Sequence, residues 1–102
     1  MKKLLLASAA IAGLTATAQA ASHANEVKIG IILGFTGPIE SLTPAMAGGA
    51  EVAMAEVTAG GKLLGGSTVT PVRADSTCID AGAATAAAER LITAEGVKGI
   101  MG

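Results

Sequence analysis

From residue 27 onward, the apolar positions fall into blocks that alternate between strand-like and helix-like spacing. The first block holds Val27, Ile29, Ile31, Ile32 and Leu33, mostly β-branched and apolar on both faces in its second half. A strand of that kind belongs in a parallel sheet covered by helices on each side. The pattern predicts a strand over residues 27–34, ended by the loop Phe35-Thr36-Gly37-Pro38, where glycine and proline break regular structure.

The next block carries a helical repeat. Thr43-Pro44 is a start signal, with threonine to cap free N–H groups and proline suited to the first helical position. Met46, Ala50, Ala53 and Val57 recur at i, i+4, i+7 and i+11, which predicts a buried stripe on a helix over residues 43–58. Glu51 and Glu56 fall off that stripe, Gly60-Gly61 stops the helix, and Gly48-Gly49 suggests close packing on a sheet. After a turn at Gly65-Gly66, residues 67–74 form a weaker strand, placed at an edge because Pro71 cannot donate to a ladder. Residues 75–79 form a polar loop, and Asp80 is suited to cap a second helix over residues 81–95. That helix is alanine-rich and is expected to bury Ala84, Ala88, Leu91 and Ile92 before Gly96 ends it. Residues 97–102 begin a third strand. The order strand, helix, strand, helix, strand, with connections of this length, predicts parallel strands. The fold class is α/β, a βαβαβ half of a doubly wound parallel sheet. The third strand is expected to lie inside a larger sheet, so the chain is expected to continue in a longer protein.

The stretch before the first strand has a different character. Lys2 and Lys3 precede an apolar run over residues 4–14, followed by Ala18-Gln19-Ala20, with small residues where a signal peptidase reads. Ser22-His23-Ala24 is a second candidate cleavage site. The run is shorter than the ~20 apolar residues of a membrane span and is followed by Thr15, Thr17 and Gln19. The organisation expected is a signal peptide over residues 1–20, a polar lead-in over 21–26, and the domain over 27–102. The expected location is the periplasm.

Composition narrows the chemistry. Phe35 is the only aromatic residue, and aromatic rings bury roughly 150–250 Å² each, so the core is thin. No basic run or aromatic stacking platform speaks for nucleic acid. Gly30, Gly34 and Gly37 lack the spacing of a dinucleotide loop, and no phosphate-loop motif is present. The single histidine, His23, lies in the lead-in or within the leader, so no catalytic triad or zinc site assembles around it. Asp75 and Asp80 flank one loop and read as a loop acid and a helix cap. The residues call for no catalytic group, no metal and no cofactor. Cys78 is the one cysteine; in an exported chain an odd cysteine is either a free thiol or half of a disulfide whose partner lies elsewhere.

Several of these segments, taken in order, resemble one family. Val27-Lys28-Ile29-Gly30-Ile31, Phe35-Thr36-Gly37-Pro38, Gly49-Ala50-Glu51-Val52-Ala53, Gly60-Gly61 and Gly65 are similar to the start of the periplasmic leucine/isoleucine/valine-binding proteins of ABC importers. Asp75-Ser76-Thr77-Cys78-Ile79-Asp80 resembles their acidic segment containing a cysteine, and Glu89-Arg90-Leu91-Ile92 and Val97-Lys98-Gly99-Ile100-Met101-Gly102 resemble their second helix and third strand. The resemblance implies a two-lobed type I binding protein, of which this chain is the N-terminal part of the first lobe. Such a protein clamps a small ligand between lobes and delivers it to a membrane permease. It also implies that Cys78 pairs with a cysteine beyond residue 102. The position at which relatives often place an aromatic residue against the ligand corresponds to Leu42, beside Ser41. That departure leaves the ligand open among amino acids, amides or urea, and other small carboxylates. The expected function is substrate binding for an ABC importer of branched-chain or related amino acids, without catalysis. The alternatives are a ligand-sensing ectodomain built on the same lobe, or part of an exported α/β enzyme. The enzyme would need a nucleophile at a sharp turn such as G-x-S-x-G, and the sequence has none.

Overall fold

The computed structural model describes residues 26–102. The expected signal peptide and cleavage sites lie outside the described residues, as does all of the lead-in except Glu26. The described chain runs β1 (Glu26–Leu33), α1 (Thr43–Gly60), a short 3-10 turn (Leu63–Gly65), β2 (Thr68–Asp75), α2 (Ala81–Thr93) and β3 (Gly99–Met101). The sheet order is β2-β1-β3, and both pairings are parallel. The β1–β2 ladder runs from Glu26 opposite Thr68 to Leu33 opposite Asp75. β3 pairs over Ile29–Gly99, Gly30–Ile100 and Ile31–Met101. Pro71 lies on β2, which pairs on one side only among the described residues, so its missing N–H breaks no second ladder.

The two-residue period of β1 explains the layers. Ile29, Ile31 and Leu33 face Ala47 and Met54 of α1, with Phe35, Ala50 and Val69 beside them. Ile32 faces the other way, toward Ala74, Val72, Val97 and the α2 residues Ala87 and Leu91. Helices thus cover both faces of the sheet, the α/β arrangement expected from a strand apolar on both sides. Ile31 and Leu91 are almost completely buried, and burying a side chain of that size stabilises by about 1.5–3 kcal/mol.

The core face of α1 differs from the expected stripe. Thr43, Ala47 and Met54 are buried, whereas Met46 is 56% and Val57 45% exposed. The observed set 43, 47, 50, 54 is offset by three residues from 46, 50, 53, 57, a rotation of roughly 60° at ~100° per residue. Three polar ties turn the helix toward β1 and β2. Thr43 Oγ1 donates to the Gly34 carbonyl (2.9 Å), Arg73 forks onto Glu51 (2.6 and 2.9 Å), and the Val69 N–H donates to Thr58 Oγ1 (2.9 Å). Thr43 therefore does not cap the helix. Leu42 occupies the cap position with no side-chain bond, and Pro44 sits in the first turn as expected.

Two further expectations change. A Cβ on Gly48 or Gly49 would meet nothing within 4 Å, so these glycines do not serve close helix–sheet packing. On α2 the buried residues are Ala87 and Leu91; Ala84 and Ala88 are half-buried and Ile92 is exposed. The sheet contact is narrow enough that Ile92, one residue past Leu91, points away from it. Both helix ends of α2 are built from local signals. Asp80 Oδ1 accepts from the N–H groups of Gly82 (2.8 Å) and Ala83 (3.2 Å). At the other end Gly96 takes φ 66°, and the Val97 N–H reaches back to the Leu91 carbonyl at 3.1 Å. Gly61, with φ 64°, closes α1 in the same left-handed conformation.

Candidate functional site

In an open α/β sheet the carboxyl ends of the strands form the ligand edge, because helices return from there and leave the loops free. Here that edge carries the loop from Gly34 to Leu42 after β1, the turn from Ser76 to Asp80 after β2, and Gly102 after β3. The two loops contain no lysine, arginine or histidine; their ionisable groups are Glu40, Cys78 and Asp80.

The loop after β1 is a run of tight turns. Phe35 N–H donates to Leu33 O (3.0 Å), Glu40 N–H to Gly37 O (3.3 Å), and the N–H groups of Leu42 and Thr43 to Ile39 O (2.9 and 3.3 Å). Ser41 and Leu42, the expected ligand-facing pair, stand side by side at the mouth of α1, both exposed, with Leu42 61% exposed. Cys78, the expected disulfide residue, lies in the neighbouring turn with its thiol exposed and free. It is thus on the same edge as Ser41 and Leu42.

The residue that joins the two loops is Asp75, at the last rung of β2. Its Oδ1 accepts from the N–H groups of Phe35 (2.9 Å), Thr36 (3.3 Å) and Thr77 (2.8 Å), and its Oδ2 accepts from Thr36 Oγ1 (2.5 Å). The Thr36 hydroxyl, then the Thr77 N–H, hold the carboxyl below the usual aspartate range; partial desolvation opposes them, and the Thr36 and Phe35 N–H groups add to them. Sequence reasoning read Asp75 as a loop acid. Its short spacing to Thr77 is a visible Asx-turn signal, but its bonds to Phe35 and Thr36 span some forty residues and leave no local trace.

A second tie reaches the same loop from the α1 side. Arg73 forks onto Glu51 and places its guanidinium 5.3 Å from the centre of the Phe35 ring. The Arg73 hydrogen bond lowers the Glu51 carboxyl from its ordinary value, and Glu51 raises the Arg73 guanidinium.

Two open depressions lie near this edge. One of about 420 Å³ sits between α1 and β3, lined by Ile31, Leu33, Met46, Ala50, Ile100, Met101 and Gly102. The other, about 250 Å³, lies beside the turn after β2 and is lined by Ser76, Cys78, Ile79, Asp80, Ala81 and Ala84. Neither is lined by Ser41 or Leu42. No group of three or more potential metal ligands occurs among the described residues, and no helix among them is long and apolar enough to cross a membrane.

Comparison with known proteins bears on the family. Residues 26–102 match the family described as periplasmic binding protein. The whole chain is 38% identical to the Leu/Ile/Val-binding protein homolog 7 of Brucella abortus (strain 2308), and to the proteins of the same name in Brucella suis biovar 1 and Brucella melitensis biotype 1. The match covers 100% of this chain and 24% of each relative, so the chain spans about a quarter of their length. No solved structure gives a significant match. With the family match extending over every described residue and the parallel α/β layers in place, the chain belongs to the periplasmic binding protein family.

Proposed function

We propose that this chain is the N-terminal part of the first lobe of a solute-binding protein that serves an ABC importer for branched-chain or related amino acids. The observation that carries the reading is the ligand edge. Two parallel strands end side by side, and their loops are drawn together by Asp75 with Ser41 and Leu42 exposed at the rim. The names of the Brucella relatives favour leucine, isoleucine or valine as the ligand class. Exposed Leu42 offers apolar surface to such a side chain, and Ser41 offers a hydroxyl to its polar end. Closure of a second lobe over this edge would complete the clamp by a hinge motion. A membrane permease would then receive the ligand. The leader over residues 1–20 would carry the protein to the periplasm, where the exposed Cys78 would pair with a cysteine outside this chain.

The test is titration calorimetry with L-leucine, L-isoleucine, L-valine, a small amide and urea, on the complete protein that carries this segment. Binding of a branched-chain amino acid, weakened at least about tenfold by the pair Ser41→Ala and Leu42→Asp, is the expected result. Binding that survives both changes would remove Ser41 and Leu42 from the site. No heat with any member of the panel would remove the function. Export is tested separately by N-terminal sequencing of the periplasmic protein, which is expected to begin at Ala21, or at Asn25 where the second candidate site is cut; a protein that keeps Met1 would refute the leader.

A further inference from the structure

We propose that Asp75 is the positioning residue of the ligand loop: one carboxylate at the end of β2 sets the course of residues 34–42, and with it the stance of Ser41 and Leu42. The inference rests on the ligand-edge reading above for its significance, but its geometry is independent of any ligand. The β1–β2 ladder ends at Leu33 opposite Asp75. Past that rung, one backbone bond joins the two segments among the described residues, from Ser76 N–H to Leu33 O at the end of β1, 2.9 Å. Every other hydrogen bond between them ends on the Asp75 carboxylate, which holds Phe35 and Thr36 on one side and Thr77 on the other.

Two contacts show how closely the loops are drawn together. A Cβ on Gly34 would lie 2.8 Å from Cys78 Cβ, and one on Gly37 would lie 2.8 Å from the Thr77 carbonyl oxygen. Glycine is required at both places by the neighbouring chain, and Gly37 also needs it for its φ of 98°. The turn that presses on them is itself unusual. Thr77 and Cys78 take φ 59° and 66°, a conformation that disfavours residues with a Cβ. The bond from Thr77 N–H to Asp75 ties the start of this turn to β2, while Asp80 ties its end to α2. Downstream, the turn bonds at Gly37 and Ile39 carry the position of Thr36 forward to Leu42. Arg73 grips only the Phe35 ring and leaves the loop backbone free. The carboxylate is therefore the point at which β2 dictates the shape of the loop after β1.

The experiment is amide hydrogen exchange, read residue by residue by NMR on the full chain. Asp75→Ala is expected to speed exchange at Phe35, Thr36, Glu40, Leu42 and Thr77 by about tenfold or more, while the hydrogen-bonded amides of β1 and β2 change by less than about twofold. Asp75→Asn keeps one acceptor oxygen and is expected to fall between Asp75→Ala and the unsubstituted chain. Leu91→Ala, which loosens the core on the other face, is the comparator expected to speed the sheet amides. The proposal is overturned if Glu40 and Leu42 do not respond to Asp75→Ala. It is equally overturned if loop and sheet respond together, or if Phe35 and Thr36 are unprotected in the unsubstituted chain. Titration of L-leucine into the unsubstituted complete protein reports on the function alone, so its failure leaves the exchange result to stand or fall by itself.

Discussion

Replacing Gly30 with alanine tests how tightly α2 is seated on the central strand. An alanine Cβ there would lie 2.8 Å from Leu91 Cδ1, 3.3 Å from Ile100 Cγ1 and 3.5 Å from Leu91 Cδ2. Carbon atoms prefer roughly 3.5–4.0 Å, so the first contact is too short. Leu91 is 0% exposed and packed with Ala74, Ala87, Val72 and Val97, so it has little space into which to retreat. Overpacking of this kind costs about 1–3 kcal/mol. Alanine also restricts the unfolded chain, which returns about 0.4–1 kcal/mol. Gly30→Ala is therefore expected to destabilise, by up to about 2.5 kcal/mol. Leu91→Ala alone is expected to cost about 2–5 kcal/mol through lost burial and the cavity it leaves. In that background both Leu91 contacts are gone and only the approach to Ile100 Cγ1 remains, on a side chain 38% exposed with room to give, so Gly30→Ala is expected to stabilise by about 0.4–1 kcal/mol. The sign reverses. The assay is thermal unfolding followed by far-ultraviolet circular dichroism, in sulfate buffer to strengthen apolar burial in a domain with a small core. Each kcal/mol moves the midpoint by about 4–8 °C at this size. If Gly30→Ala has the same sign and size with and without Leu91, α2 is not seated on Gly30 and the described packing of that face is wrong.

Three other outcomes are expected. Asp80→Ala removes the acceptor for Gly82 and Ala83 and should cost about 0.5–2 kcal/mol in unfolding experiments, whereas Asp80→Asn should cost much less; equal losses would count against the cap. The Asp75 and Glu51 carboxyls are both held below their ordinary values. A depressed folded value gives stability that is present above the unfolded pKa and lost as pH falls through the folded one, so melting midpoints should drop below about pH 4. Asp75→Ala combined with Glu51→Gln should flatten that acid limb, and an unchanged slope would refute the assignment. Finally, Met46, Val57, Ile100 and Met101 leave apolar surface exposed along α1 and β3. The chain should therefore enhance the fluorescence of an apolar dye such as ANS at neutral pH with its helix content intact, and Met46→Lys with Met101→Lys should reduce it; a dark wild-type chain would speak against this surface.

What could be read from the chain beforehand was whatever a few neighbouring residues decide among themselves. The β-branched run from Val27 to Leu33 named a strand covered on both faces, Pro71 placed β2 where it pairs on one side, and Asp80, Gly61 and Gly96 marked helix ends through bonds that reach only a few residues. From those pieces the order and the parallel pairing follow, since connections of that length leave few other topologies. The face α1 turns to the sheet is not legible locally, because the apolar repeat 46, 50, 53, 57 and the set 43, 47, 50, 54, which begins with a buried threonine, both fit a helix. Propensity cannot choose between them. Bonds from Thr43 to Gly34, Glu51 to Arg73 and Thr58 to Val69 made the choice. Ser41 and Leu42 were legible only as positions after a Gly-Pro turn. Their surroundings, and the carboxylate of Asp75 drawing the loop after β1 onto the turn after β2, exist only once strands distant in sequence lie side by side. The amino-acid sequence thus determines the elements, their ends and the α/β class, because hydrogen bonds and steric preferences within a turn or strand act locally. The rotation of α1 and the shape of the loops at the carboxyl edge of the sheet are decided by the tertiary structure, because the groups that set them meet only after the sheet has formed.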